Sequence, residues 1–255
     1  MSSGRADGSG WGVEAGRRDG DERAPGRTGG GRNLRLDDVD VYRRGLHLID
    51  RLSLDVPPGQ VLGVSGPSGA GKTTLLRVIA GMTRNYSGRV HLPEGRMSFV
   101  FQEPRLLPWL TARKNVQLTL PPESIGKMFI AEEWLERVGL DGAMELYPAQ
   151  MSGGMRQRVS IARAMATGPR LLLVDEPFSA LDKPLALALR EDLRDIIAHS
   201  DLVTVWVSHD PGELDEVSAL RLHLDGPPGG RWRLQAQGRD GPPGRNHPSA
   251  DGSRT

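Results

Sequence analysis

The chain has 255 residues, enough for one large α/β domain, and its 33 Lys and Arg residues nearly balance 32 Asp and Glu, for a net charge of +1. This balance gives no basis for long-range attraction to nucleic acid, and the lack of cysteine excludes disulfides, thiolate metal sites and thiol catalysis. No apolar run approaches the roughly 20 residues of a membrane-spanning helix. These properties fit a soluble intracellular protein.

Two polar segments flank the part of the chain that has regular hydrophobic patterning. Residues 1–32 are mainly Gly, Arg, Asp and Ser in irregular order, with Trp11 and Val13 nearly the only large apolar side chains. Such a segment cannot bury enough apolar surface to offset its ordering entropy. We therefore predict a disordered N-terminal tail over 1–32, a folded domain over 33–237 and a disordered C-terminal tail over 238–255.

Alternating apolar residues predict antiparallel strands at the start of the folded domain. The alternation covers 34–36, 39–41 and 52–56. Tyr42 follows the second of these stretches, where its ring either stacks on a purine or packs against its neighbours. The residues alone leave both interpretations open.

The next segment has the strand, loop and helix order of a phosphate-binding site. An apolar strand at 61–65 precedes the pattern G-x-x-x-x-G-K-[ST], and a helical pattern at 74–80 ends at Gly81. Backbone N–H groups of the loop favour phosphate oxygens, Lys72 can reach the β- and γ-phosphates, and the Thr73 hydroxyl can ligate Mg²⁺. The predicted nucleotide-contacting residues here are Gly66, Pro67, Ser68, Gly69, Ala70, Gly71, Lys72 and Thr73.

A helical region is predicted between two groups of strands. Strands at 88–92 and 97–101 lead to Gln102, and Thr111 is placed to cap a short helix. Ser124–Val138 is patterned as an amphipathic helix, with an apolar face formed by Ile125, Met128, Phe129, Leu135 and Val138. We predict an inserted helical subdomain over about 103–168.

Chemically active side chains follow two predicted buried strands. The run 171–174 ends in Asp175 and Glu176, and the strand at 202–207 ends in Ser208 and His209. An apolar run of this kind is typical of a central strand, so the two acids are expected at a strand end inside the fold.

Three further helix starts and a terminal hairpin are predicted. Ser152 is placed as an N-cap, and Asp182 with Pro184 begins a second helix. Asp210 and Glu213 are spaced as a capping box for a third. Residues 220–224 and 231–234 flank a Gly- and Pro-rich turn and predict a hairpin.

Six of these features occur in the order found in ABC-transporter ATPase subunits, and the chain resembles that family over about residues 34–225. They are the phosphate loop, Gln102 after a strand, Met151–Met155 on a helix, Leu171–Pro177, Ser179–Asp182 and His209. The segments Phe101–Trp109 and Gln150–Arg158 are similar to the nitrate, sulfonate and taurine importer branch. The resemblance implies an α/β fold: a P-loop NTPase (ABC ATPase) core with an antiparallel β subdomain and an inserted helical subdomain.

The resemblance also implies ATP and Mg²⁺ as ligands and a role for each residue near them. Lys72, Thr73 and Thr74 would bind phosphates and Mg²⁺, and Asp175 would hold Mg²⁺ through a water. Glu176 would orient or deprotonate the attacking water.

Three more residues are assigned by the same resemblance. Gln102 would contact Mg²⁺ or the attacking water, and His209 would hydrogen-bond the γ-phosphate. Tyr42 matches the aromatic residue that stacks on the base.

The resemblance implies an ATP-dependent, head-to-tail homodimer with nucleotide between the subunits. Ser152, Gly153 and Gly154 would face the nucleotide of the second subunit, and Asp182 is counted with the nucleotide-binding residues. The chain departs from the commonest family pattern at Met155, where Gln is usual, and at Lys183-Pro184, near which Arg often occurs.

The function predicted in this way is that of the ATP-hydrolysing subunit of an importer for a small solute of the nitrate, sulfonate or taurine type. Its partners would be a separate integral-membrane permease and, indirectly, an extracytoplasmic solute-binding protein, with no nucleic acid. The subunit would lie peripherally on the cytoplasmic face of the cell membrane.

Two other classes of function are weighed against this one. A non-transport ABC ATPase acting on nucleic acid or the ribosome usually has a second nucleotide domain, a long coiled coil or cysteine-bound zinc, none of which occurs in this sequence. A P-loop kinase or GTPase accounts for Lys72 but not for Ser152–Gly154 or His209.

The segment 105–110 places three leucines and Trp109 in a loop interrupted by Pro108, shortly after Gln102. Trp109 either packs inside the helical subdomain or belongs to a groove that receives a short helix of the permease. The second interpretation predicts that Trp109→Ala leaves ATP binding by the isolated subunit largely intact.

Overall fold

The computed structural model describes residues 26–179, 181 and 183–236. Its strands are β1 Gly26–Gly31, β2 Leu34–Arg43, β3 Leu46–Val56, β4 Val61–Ser65, β5 Tyr86–Pro93, β6 Arg96–Val100, β7 Pro169–Asp175, β8 Val203–Val207, β9 Leu220–Gly226 and β10 Arg231–Ala236. Its helices are α1 Lys72–Ile79, α2 Ala112–Gln117, α3 Lys127–Arg137, α4 Gly153–Met165, α5 Lys183–Ala198 and α6 Pro211–Val217. Short 3₁₀ turns lie at Asp141–Ala143 and Pro148–Gln150.

The larger sheet has six strands in the order β10-β9-β4-β8-β7-β6, parallel except for the antiparallel β9–β10 pair. All five residues of β8 are buried, as expected for a parallel strand covered on both faces. Alternate residues enter different cores: Val203, Val205 and Val207 pack on the side of α1, and Trp206 packs on the side of α2–α5. The sheet is therefore the partition between two hydrophobic cores.

The smaller sheet has the order β1-β5-β2-β3 and lies on the α1 side of the partition. The predicted antiparallel pairing near the start of the domain is confirmed, since β2 pairs antiparallel with both β3 and β5.

The prediction of disorder over 1–32 is wrong for β1, which pairs parallel with β5. Its glycine-rich sequence has low strand propensity, so the edge of β5 supplies the order: Thr28 Oγ1 lies 2.7 Å from His91 Nδ1 across that edge. Residues 1–25 and the predicted C-terminal tail over 238–255 lie outside the described residues.

Between β6 and β7 the described chain forms helices and turns rather than strands. The predicted cap at Thr111 is confirmed, because its side chain accepts a hydrogen bond from the Lys114 backbone N–H at 3.4 Å. The helix predicted from Ser124 begins only at Lys127, after Gly126 in a left-handed conformation.

The apolar face predicted for that helix is only partly buried. Ala131, Leu135 and Val138 enter the core, whereas the side chains at its start are exposed: Ile125 is 96% exposed and Phe129 is 70% exposed. The predicted terminal hairpin is confirmed as β9 and β10. Within residues 26–179 and 183–236, no helix is long and apolar enough to cross a bilayer.

Candidate functional site

Four neighbouring parallel strands place the predicted site residues at one edge of the larger sheet. In spatial order β4, β8, β7 and β6, their carboxyl ends lead into the phosphate loop, His209, the acid pair and Gln102. The carboxyl ends of parallel strands in an open α/β sheet are the usual place for a ligand crevice. Residues far apart in sequence are therefore brought to one crevice by the strand order.

The phosphate loop runs from Gly66 to Gly71, between β4 and α1. The predicted strand, loop and helix order is confirmed, and the helix begins at Lys72 rather than Thr74. Gly66 has φ 142°, and a side chain there would overlap the carbonyl oxygen of Leu224. Only glycine satisfies both conditions, which explains the residue at the first fixed position of the motif.

Lys72 is buried, and its ammonium group is held inside the loop. Its Nζ donates hydrogen bonds to the carbonyl oxygens of Gly66 at 2.8 Å and Pro67 at 3.2 Å. These contacts keep a positive charge within the curve of the loop, beside the N-terminus of α1. The arrangement is suited to an anion with several oxygens.

Thr73 and Asp175 join α1 to the end of β7. The Thr73 hydroxyl donates to Asp175 Oδ1 at 3.1 Å, across 102 positions of sequence. Burial raises the pKa of the Asp175 carboxyl above its usual range; the Thr73 hydrogen bond opposes that rise and the neighbouring Glu176 charge adds to it. A hydroxyl and a carboxylate oxygen are hard ligands, so this pair fits Mg²⁺.

Glu176 and His209 lie side by side at the ends of β7 and β8. His209 Nδ1 is 3.3 Å from Glu176 Oε2, and the imidazole is well exposed. Glu176 has φ 44°, an unusual conformation for a residue with a side chain. Its backbone N–H donates to the Val207 carbonyl at 3.0 Å, and its own carbonyl accepts from Ser179 Oγ at 3.1 Å. These bonds hold the strained residue in place.

Gln102 reaches the same turn from the end of β6. Its Nε2 donates to Ser179 Oγ at 2.9 Å, so one hydroxyl links the Gln102 amide to the Glu176 carbonyl. The helical segment that follows β6 is therefore connected to the acid pair by side-chain hydrogen bonds.

Tyr42 lies near the end of β2 and is partly exposed. Its ring stacks on His47, with centroids 4.8 Å apart and an interplanar angle of 17°. Leu48, one residue further along β3, lies against Gly71 of the phosphate loop. The part of β3 that follows His47 therefore lies against the loop, and both sequence interpretations of Tyr42 remain open.

The helix start at residues 152–154 is separate from the other site residues within this chain. The predicted N-cap is confirmed, because Ser152 Oγ accepts from the Met155 backbone N–H at 3.2 Å. Among the described residues, no hydrogen bond joins Ser152, Gly153 or Gly154 to the phosphate loop. Asp182, assigned to the nucleotide site from the sequence, lies outside the described residues.

The sequence interpretation missed the role of one buried acid. Glu213 does not complete a capping box; Asp210 caps α6 alone, through the Gly212 N–H at 2.9 Å. The Glu213 carboxylate instead points into the core, where it accepts hydrogen bonds from Trp206 Nε1 and Ser208 Oγ. A tryptophan within a buried strand otherwise made of Val and Thr is a signal for such an acid, since a buried indole N–H needs an acceptor.

A glycine-rich phosphate loop after β4, with an acid pair and a histidine on adjacent strand ends, defines the class of P-loop nucleoside triphosphatases. The ABC transporter family model matches residues 49–179, which is half of the chain. The aliphatic sulfonates import ATP-binding protein SsuB 1 of Pseudomonas syringae pv. syringae (strain B728a) is 39% identical over 184 residues, 72% of this chain and 76% of that protein.

Two further comparisons agree with that match. The aliphatic sulfonates import ATP-binding protein SsuB of Mycobacterium avium (strain 104) is 40% identical over 185 residues, 71% of this chain and 72% of that protein. A solved ATP-binding cassette, a dimer in a post-hydrolysis state bound to ADP and Pi, is 28% identical with a TM-score of 0.66, over 75% of this chain and 94% of that chain. The chain belongs to the ABC transporter family and is one of its ATP-hydrolysing, nucleotide-binding subunits.

Proposed function

We propose that this chain hydrolyses ATP to energise import of an organic sulfonate through a separate membrane permease. The catalytic part is carried by the contacts around the acid pair: Thr73 of α1 bonds Asp175 at the end of β7, and Glu176 meets His209 across the adjacent ends of β7 and β8. The solute class is supported by relatives 36–40% identical that are named for aliphatic sulfonate import. The sulfonate assignment narrows the choice of solute from the nitrate, sulfonate or taurine types that the sequence indicated.

In this proposal the phosphate loop and the residues next to it bind the phosphates of ATP and Mg²⁺. Backbone N–H groups of the loop bind the phosphate oxygens of ATP, and Lys72 turns from the loop carbonyls to the β- and γ-phosphates. Thr73 and Asp175 would hold Mg²⁺, and Thr74, on the same helix turn, would contact the phosphates. The ion would supply positive charge to offset the negative charge of the phosphates.

The attacking water is controlled by Glu176. Its carboxylate orients or deprotonates the water, and His209 donates a hydrogen bond to the γ-phosphate beside it. Gln102 is linked to the same site through its hydrogen bond to Ser179. The Tyr42 ring stacks on the purine base of ATP.

The proposed active state is a dimer with nucleotide between two copies of the chain. The N-terminus of α4 presents the free N–H groups and partial positive charge of a helix start, but it lies apart from the chain's own phosphate loop. A head-to-tail partner brings Ser152, Gly153 and Gly154 to the γ-phosphate of the opposite subunit. Asp182 is assigned to the same interface.

The proposed location is the cytoplasmic face of the cell membrane, where the subunit docks on its permease. An extracytoplasmic solute-binding protein delivers the sulfonate to the other side. Nucleic acid has no part in this scheme.

Solute uptake in cells that lack the subunit tests the proposal. The wild-type chain should restore uptake of a labelled alkanesulfonate, whereas Lys72→Ala should not, because it removes a charge-assisted contact worth about 1.5–3 kcal/mol from the nucleotide site. Taurine and nitrate are the comparison solutes in the same cells. Restored nitrate uptake with no sulfonate uptake would contradict the solute assignment, and full uptake with Lys72→Ala would contradict the role of the loop.

A further inference from the structure

The turn at residues 208–210, which carries His209, is anchored by one buried carboxylate. Glu213, from the first turn of α6, is 7% exposed. Its Oε2 accepts a hydrogen bond of 2.6 Å from Ser208 Oγ, immediately before His209. The same Ser208 Oγ accepts the Asp210 backbone N–H at 3.1 Å, immediately after it. The imidazole itself is 64% exposed, so its backbone supplies most of its positioning.

The second oxygen of that carboxylate is tied to the centre of the sheet. Glu213 Oε1 accepts a hydrogen bond of 2.8 Å from Nε1 of Trp206, which is fully buried in β8. The Trp206 indole in turn packs on Phe178, with ring centroids 6.0 Å apart. Phe178 is two residues beyond Glu176. The Trp206 indole therefore lies between the turn that carries Glu176 and the turn that carries His209.

We propose that Glu213 is a positioning residue that fixes His209 against Glu176 by bonding Trp206 and Ser208 at once. This inference rests on the catalytic roles proposed above for His209 and Glu176. In this proposal Glu213 does not touch nucleotide; it acts through Trp206 and Ser208 on the turn at residues 208–210.

A carboxylate suits this position because both Trp206 and Ser208 donate to it. The two oxygens of Glu213 accept from an indole N–H and a hydroxyl, neither of which lies at the surface. A glutamine has one acceptor oxygen and an NH₂ group, so Glu213→Gln keeps the shape; with its oxygen on the Trp206 N–H, it leaves the Ser208 hydroxyl hydrogen without its acceptor. A buried donor that loses its acceptor moves in order to find another, and the His209 turn moves with it.

The test compares ATP turnover and ATP affinity in Glu213→Gln, His209→Ala and the double variant. Glu213→Gln is expected to lower kcat about ten- to hundredfold, the scale of a small misplacement of a catalytic group, with the ATP dissociation constant within about twofold of wild type. In the His209→Ala background the same substitution is expected to have no further effect, because its only route to the reaction has been removed.

Three further variants separate positioning from general stability. Ser208→Ala should lower kcat in the same direction, since it cuts the link from Glu213 to Asp210. Trp206→Phe and Trp232→Phe are a matched pair: each removes a buried indole N–H, but Trp232 Nε1 donates to the Asp50 carbonyl of β3 instead. Trp206→Phe should lower kcat and Trp232→Phe should leave it at the wild-type value. The indole N–H resonance of Trp206, assigned by its loss in Trp206→Phe, should shift in Glu213→Gln while that of Trp232 stays in place.

Wild-type turnover in folded Glu213→Gln would overturn the inference, as would an equal loss with and without His209. If Glu213→Gln does not fold, Ser208→Ala takes its place. Wild-type turnover in Ser208→Ala, or an equal loss with and without His209→Ala, would then overturn the inference. Wild-type turnover in His209→Ala would instead contradict the proposed catalytic role of His209. Loss of turnover in His209→Ala with none in Glu213→Gln would overturn only the positioning role.

Discussion

Asp175 is placed where two requirements conflict. Its burial favours the neutral acid and raises the pKa of the carboxyl, while a Mg²⁺ site requires the ionised form. A group whose pKa is raised by folding contributes most to stability below its unfolded pKa of about 4. That contribution is lost as the pH rises through the raised value, so at neutral pH the charged Asp175 lowers the free energy of unfolding.

Asp175→Asn should therefore separate stability from function. The amide can still accept from the Thr73 hydroxyl but carries no charge, so the nucleotide-free melting temperature should equal or exceed that of wild type. The increase in ATP affinity that wild type gains from Mg²⁺ should be lost. Calorimetry and nucleotide titration with and without Mg²⁺ measure both effects.

Asp201→Asn is the control, because Asp201 is exposed and pairs only loosely with Arg170 at 3.9 Å. It should leave both quantities unchanged. A clear drop in the melting temperature of Asp175→Asn would contradict this account of the buried charge.

At the level of single residues, the sequence predicted the identity of the acids, Lys72 and Thr73 but not their geometry. Apolar runs that end in polar residues indicate strand ends, and strand ends in a parallel sheet are brought together. The left-handed conformation of Glu176 depends on a bond to Val207, 31 positions away, so no local pattern predicts it. Glu213 was misassigned because a capping-box spacing also fits an acid that turns inward.

Among the elements, helix α4 has the clearest consequence for assembly. Its first two residues differ in environment: a side chain at Gly154 would overlap Leu185 of α5, while one at Gly153 would meet only ordinary contact with Leu181. Gly153 is therefore the position where a negative charge can be added without disturbing the fold. An acid at a helix start also interacts favourably with the helix dipole.

Gly153→Asp should abolish ATP-dependent dimerisation while leaving ATP binding by the monomer intact. The added carboxylate would face the γ-phosphate of the partner subunit, where like charges repel. Sizing in the Glu176→Gln background, with and without ATP, measures the effect. Gly142→Asp, at an exposed glycine with open space around it, is the control and should dimerise normally. An unchanged dimer in Gly153→Asp would contradict the proposed interface.

The elements that the sequence predicted well are those with a strong local signal. These signals are the phosphate-loop motif before α1, the Ser152 cap of α4 and the Gly- and Pro-rich turn between β9 and β10. Strand β1 was missed because its order comes from the edge of β5 and not from its own composition. The start of α3 was placed too early because Ile125, Met128 and Phe129 have helical spacing but are exposed.

On the scale of the whole molecule, large apolar side chains remain exposed within the helical segment between β6 and β7. Trp109 is 69% exposed, and Leu118, Ile125, Met128 and Phe129 are exposed as well. The interpretation in which Trp109 packs inside this segment is therefore wrong. Exposed aromatic and aliphatic groups of this kind are typical of an interface, and the permease is the proposed partner.

Trp109→Ala should release the subunit from membranes that contain its permease without altering the isolated protein. Loss of a buried interface aromatic costs about 2 kcal/mol or more, which weakens binding by roughly thirtyfold. The melting temperature and ATP affinity should remain at wild-type values. Membrane co-sedimentation measures release, with Met82→Ala as a control because Met82 is also exposed but lies outside the helical segment. A sharp loss of stability in Trp109→Ala would contradict the interface assignment.

Glu176 is proposed to perform the chemistry of ATP hydrolysis at the crevice formed by β4, β8, β7 and β6. The most direct measurement is steady-state ATP hydrolysis by Glu176→Gln, with ATP binding measured on the same preparation. The amide keeps the shape of the side chain and loses the base, so turnover should fall at least about a hundredfold while ATP affinity is retained. Turnover near the wild-type rate in Glu176→Gln, with ATP bound normally, would contradict the account.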